Sequence, residues 1–227
     1  MINKTFNSSK TRNWQNEAMV GGNYLLGSNN HIHGYYKAAD ILVNSALDSH
    51  VDRDRDMLFF PIVFNYRHYI ESSLKELIEK AEDSYDVLEQ IESTYGELKK
   101  RVKNKLDTHC LKTLLKYLAE RLRLISEVNF EESICETILD IHRLDPGSIT
   151  FRYPLDKHGK LTLPEQKTYD LRNIQERMKV VRNSFEGATT WLQVTTDSAL
   201  EWLSIQQEQM LEFETDLPTH DFEGNFY

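Results

Sequence analysis

Arg67, His68 and Glu71 interrupt the most apolar helical stretch of the chain, MLFFPIVFNYRHYIESSLKELIEKA at 57–81. An arginine, an imidazole and a carboxylate within two turns are the side chains that acid–base chemistry on an anionic substrate needs. Arg67, Glu71, Lys75 and Glu79 also follow one another at i, i+4, the spacing of an exposed ladder of ion pairs, each contributing a few tenths of a kcal/mol. The competing reading is a partly buried Arg67–Glu71 pair that holds the guanidinium towards a cleft, with His68 beside it as acid or base. Arg67, His68 and Glu71 are therefore the candidate catalytic residues.

Other residues offer binding chemistry. Arg152 and Tyr153 lie in an aromatic, extended segment with Ser148, Phe151 and Pro154, which either docks on the body of the protein or lines a pocket with Arg67. The basic run Lys99, Lys100, Arg101, Lys103 and Lys105 can neutralise phosphates, or it can be a solvated helix end. His31 and His33 form an HxH pair, which starts a metal site only if a third ligand converges on it from elsewhere and is more simply a polar loop. His109, at a helix start, reads as a capping or packing residue and a minor candidate. No Gly-rich phosphate loop, nucleophile elbow, HExxH or paired cysteine cluster occurs, so neither a metal nor a cofactor is expected.

The elements that position these residues read as helices. Tyr35, Ala38, Ala39, Leu42, Val43 and Ala46 recur at three- and four-residue spacing and predict a first helix over 34–49. The charged DRDRD at 52–56 leads into the central helix, with Phe59, Val63, Tyr66, Ile70, Leu74, Leu77 and Ala81 on its apolar line. Pro61 either kinks this helix or marks its first turn. Asp83 or Ser84 is positioned to cap a further helix, whose narrow stripe Leu88, Ile91, Tyr95, Leu98 and Val102 suits a helical hairpin or a dimer seam. Asp107 or Thr108 opens the next helix, through Leu111 to Ile125, and a shorter one follows over 130–142. DPGS at 145–148 is a turn signal, and ITFRYPLDKHGKLTLP after it predicts a short β-hairpin or extended insertion near 145–169. From Asp170 the helical period returns through Leu171 and Phe185 to Ile205, as one long helix or two in tandem.

Bulk properties narrow the function. The net charge of −9 and pI near 5.4 argue against broad binding to nucleic acid or anionic membrane and leave only local patches. Cys110 and Cys135 fit no metal or disulfide pattern, which is consistent with a reduced, cytoplasmic setting. There is neither an apolar leader nor a run of about 18 uncharged apolar residues, so membrane contact is not expected. The divisions read as an N-terminal arm over 1–30, flexible because it is rich in Asn, Ser and Gly, a helical domain over 31–212, and an acidic tail over 213–227.

Three words, PIVFNYRHYIESSLK at 61–75, THCLKTLL at 108–115 and LDPGSITFRYPLD at 144–156, together resemble a group of bacterial HEPN-like proteins. The resemblance covers roughly 34–195. It implies an all-α, HEPN-like helical bundle, a homodimer, a protein or RNA partner, and a place in antiviral defence or a toxin–antitoxin system. Catalytic members of the family resemble one another in an Arg followed by a polar residue, with a His after four to six intervening residues. Here Ser72, Ser73 and Leu74 stand where that His would follow Arg67, and Gly187, Ala188 and Thr189 where it would follow Arg182. Arg152 and His158 meet the spacing, but on the non-helical insertion. The resemblance therefore implies a binding or regulatory module with a degenerate nuclease signature. Its two alternatives are a metal-independent HEPN-type ribonuclease, as an RNA endonuclease that uses non-standard site residues, and a structural helical subunit of a larger complex.

Overall fold

The computed structural model describes Gln15, Ala18 and residues 24–92, 106–126 and 129–215. Five helices account for most of them: α1 (Tyr24–Asp48), α2 (Asp52–Glu92), α3 (Leu111–Ile125), α4 (Glu132–Leu144) and α5 (Leu171–Thr215). The protein is all-α, and α2 packs against each of the other four helices.

α1 and α2 form a hairpin turned by residues 49–51. Ser49 Oγ donates to Asp54 Oδ2 at 2.6 Å and accepts from the Val51 N–H at 3.1 Å, which ties the turn to the first residues of α2. Along α1, Ile32, Tyr36, Ala39, Val43 and Ala46 are buried at three- and four-residue intervals, and the two alanines let the backbones approach closely. α1 starts at Tyr24, ten residues before the helix expected from periodicity, so the last part of the stretch read as an arm is helical. Its Gly, Ser and Asn content favours turns over helix, which hides that start in the sequence.

α2 spans 41 residues, about 60 Å at 1.5 Å per residue. Between Ile62 and Tyr85 it buries residues on nearly every side, as a helix enclosed by others must. Pro61 lies inside this helix as its tenth residue and not in its first turn. The expected break at Asp83 or Ser84 is absent. Ser84 is fully buried, and its hydroxyl contacts the Lys80 carbonyl at 2.9 Å and Thr196 Oγ1 at 2.6 Å, so it joins α2 to α5 instead of capping a new helix. The part of the Leu88–Val102 stripe beyond Ile91 lies outside the described residues.

Phe59 against Tyr169, Tyr69 against Phe185 and Ser84 against Thr196 show α2 and α5 running side by side in the same direction. α3 buries Leu111, Leu114, Leu118 and Leu122, with Arg121 reaching Glu82 on α2 at 3.2 Å. α4 buries Ile134, Ile138 and Ile141. Asp170 Oδ1 accepts from the N–H groups of Arg172 and Asn173, capping α5, which then continues unbroken for 45 residues.

Between α4 and α5 the predicted hairpin reduces to one antiparallel bridge, Leu155 with Leu161, closed by Asp156 N–H on the Lys160 carbonyl and by Gly159 at φ +77°. Pro154 and Pro164 on its flanks have no N–H to extend a ladder. Phe151 is buried with its ring edge-on to Phe59, so the segment docks on α2 as an extended aromatic segment must. No described helix is long and apolar enough to cross a membrane.

Candidate functional site

The i, i+4 repeat along α2 brings Arg67, Glu71 and Lys75 onto one line, and the packing of α3 and α4 decides what that line faces. Arg67 is 1 % exposed. Its Nη1 donates to Glu71 Oε2 at 2.9 Å, its Nη2 to the His109 carbonyl at 2.7 Å, and its Nε to the Asp145 carbonyl at 3.2 Å. Asp145 Oδ2 lies 3.3 Å from the same Nε, within ion-pair range. Each guanidinium nitrogen thus has an acceptor in the protein, and one side chain joins α2 to the start of α3 and the end of α4.

Glu71 is buried as well, and both of its oxygens are used. Oε1 receives Lys75 Nζ at 2.9 Å and His109 Nδ1 at 2.7 Å. Burial pushes its pKa up, but the hydrogen bonds from Lys75, His109 and Arg67 outweigh burial and hold it down at about 2. Glu71 is therefore a carboxylate, and His109 Nδ1 is the donor in their bond. Asp145 Oδ1 accepts the N–H groups of Ile149 (2.7 Å) and Thr150 (3.0 Å), so the DPGS turn is built around the carboxylate that neutralises Arg67.

The ladder ends at Lys75. Glu79 is exposed, and partial burial together with Asp83, Glu76 and Glu82 raises its pKa. The i, i+4 series is a buried ion-pair network with one exposed end and not a solvated ladder, but it turns the Arg67 guanidinium onto protein acceptors and not towards a cleft.

His109 shows the geometry of a proton-transfer group. Its side chain is 66 % exposed, Nδ1 is held by the buried carboxylate, and Nε2 makes no hydrogen bond among the described residues. A carboxylate that fixes the tautomer and turns the second nitrogen outward is the arrangement that lets an imidazole act as acid or base. Next to it, Cys110 Sγ lies 4.0 Å from His142 Nε2, while His142 Nδ1 is buried without a partner. Burial, followed by the charges of Arg67, Lys112 and Arg143, lowers the His142 pKa.

Of the three catalytic candidates, the structure brings Arg67 and Glu71 together and places His68 elsewhere. One residue along a helix is a rotation of about 100°, and His68 points into an aromatic cluster. Its ring lies 4.2 Å from Tyr35, stacks on Phe64 at 6.0 Å and meets His31 at 6.3 Å. Burial lowers its pKa and favours the neutral ring, a packing role. His31 and His33 sit on α1, not in a loop, and among the described residues no group of three or more His, Cys, Asp or Glu is arranged to hold a metal.

Arg152 and Tyr153 are exposed and do not reach Arg67. Arg152 turns back onto the Ser148 carbonyl and lies over the Tyr153 ring at 5.5 Å. His158 is exposed at the tip of the bridged turn. Arg182 pairs with Glu186 at 2.7 Å and lies over Tyr36 at 4.9 Å. Lys99, Lys100, Arg101, Lys103 and Lys105 lie outside the described residues.

From the sequence alone, His109 is a minor candidate and Asp145 only a turn former. Their partners are 38 and 78 residues away along the chain. The one local cue is that both are polar residues next to the start or end of an apolar helix.

No family model, curated protein or solved structure matches the chain.

Proposed function

We propose that the chain is an HEPN-like binding or regulatory module of a bacterial defence or toxin–antitoxin system, working in the cytoplasm as a homodimer that engages a protein or RNA partner. The observation that carries the reading is a convergence. The three words that resemble the family, separate in sequence, meet at Arg67, with Glu71 from the first, His109 from the second and Asp145 from the third. The same geometry favours recognition over the family's usual chemistry. Arg67 has no nitrogen without a protein acceptor, and no described helix supplies an Arg with a His after four to six intervening residues.

A second reading, a metal-independent ribonuclease, is supported by His109. With Glu71 behind it, a free Nε2 in front and the Lys75 ammonium alongside, it could take a proton from a hydroxyl next to a phosphate.

Incubation of the purified protein with total RNA in the presence of EDTA separates the two. The module reading expects no cleavage by the wild type and RNA or partner capture that survives His109→Ala. Cleavage lost in His109→Ala and retained in His68→Ala establishes the ribonuclease. Light scattering over a range of concentrations tests the dimer, which a constant monomer mass overturns.

A further inference from the structure

A cavity of about 550 Å³ lies between α4, the start of α5 and the segment that leads into α5, and it takes no part in the Arg67 network. Its size falls within the range of about 300–1,000 Å³ usual for small-molecule sites. Val63 of α2, Ile141 and Leu144 of α4, and Ile174 of α5 give it an apolar floor. Tyr169 forms one wall, and stacking on Phe59 at 4.7 Å and 19° between planes fixes its ring.

The rim has the opposite character from the chain as a whole. In a protein of net charge −9, three cations, Arg143, Lys167 and Arg177, surround this opening against one carboxylate, Asp140. Two of the cations are engaged, Arg143 with Asp140 and Lys167 with Glu165. Arg177 is different. It is partly buried, and among the described residues no carboxylate pairs with it and its one hydrogen bond is a long contact from Nη2 to the Ser133 carbonyl at 3.4 Å. A guanidinium has five N–H donors in a rigid fork that suits an oxyanion, and here nearly all of them are left for a ligand.

We propose that this cavity binds a small organic anion, whose apolar body covers Val63, Ile141, Leu144 and Ile174 and whose anionic group pairs with Arg177. Water in place of the anionic group would satisfy the guanidinium equally well, but it would leave the apolar floor wet. A neutral apolar molecule would cover the floor and leave Arg177 unpaired. An amphipathic anion satisfies both.

The test uses 1-anilinonaphthalene-8-sulfonate, a rigid apolar body with a fixed anion, and its neutral counterpart N-phenyl-1-naphthylamine, in fluorescence titrations of the full chain. Saturable binding of the sulfonate, tighter than that of the neutral probe, is expected. Arg177→Ala should weaken the sulfonate by about tenfold or more, the size of a lost charge-assisted hydrogen bond, and leave the neutral probe unchanged. Ile174→Trp, which fills the floor, should abolish saturable binding of both. Equal affinity for the two probes, or sulfonate binding that Arg177→Ala leaves intact, overturns the proposal. Far-UV circular dichroism verifies that the variants fold. If Ile174→Trp does not, the surface-reaching Arg177→Ala decides alone.

Discussion

Replacing Arg67 with methionine tests whether one buried guanidinium holds three helices together. The substitution keeps much of the volume and helical propensity of the side chain and removes its charge and donors. Glu71 and Asp145, both nearly inaccessible, lose their shared cation, and the carbonyls of His109 and Asp145 lose a donor. Removing one partner of a buried ion pair costs about 3–5 kcal/mol, because the remaining charge stays buried. Lys75 and His109 still serve Glu71, and two backbone N–H groups still serve Asp145 Oδ1. That places the expected loss at the lower end, about 3 kcal/mol. For a domain of this size it corresponds to a fall in Tm of about 6–12 °C. Urea unfolding followed by far-UV circular dichroism gives the free energy directly. Arg67→Lys should fall between wild type and Arg67→Met, since an ammonium keeps the charge but cannot fork to acceptors on three elements. A loss below about 0.5 kcal/mol for Arg67→Met, the level of an ordinary surface change, would refute the strut and free the guanidinium for a ligand.

Two other predictions concern Glu71 and Gly187. Glu71 is held at about 2, below its ordinary 4.5, so the folded state binds its proton less readily than the unfolded chain. Its contribution to stability is complete above 4.5 and is lost as the pH falls from there through 2. Glu71→Gln should therefore flatten the acid limb of the stability curve in that window, and an unchanged acid limb would count against the network. Gly187 lies inside α5 with open space where a Cβ would stand. Gly187→Ala should raise stability by about 0.5–1 kcal/mol, and thermal unfolding that shows no gain or a loss would place a neighbour against this face.

The all-α fold was legible because three- and four-residue spacing marks the buried faces of α1, α3, α4 and α5 directly. The boundaries were less so, for reasons visible at single residues. Ser84 has the residue type of a cap, yet a serine within a helix can instead bond to the carbonyl four residues back, and Lys80 supplies it. The expected hairpin followed alternation that two prolines prevent from becoming a ladder.

For the site, sequence shows which side chains share a helix line but not what that line meets. Arg67 and Glu71 were legible as a pair from i, i+4 spacing inside an apolar stretch. A partly buried pair and a solvated ladder have the same spacing, and only burial, set by His109 and Asp145 arriving from elsewhere, separates them. His68 shows the converse. Its neighbour in sequence is the centre of the network, yet the helical rotation between them turns its ring to Tyr35 and Phe64. An imidazole reaches Glu71 all the same, from a helix start 38 residues on. Acid–base chemistry at this centre, if an assay finds it, therefore belongs to His109 and not to the histidine written next to Arg67.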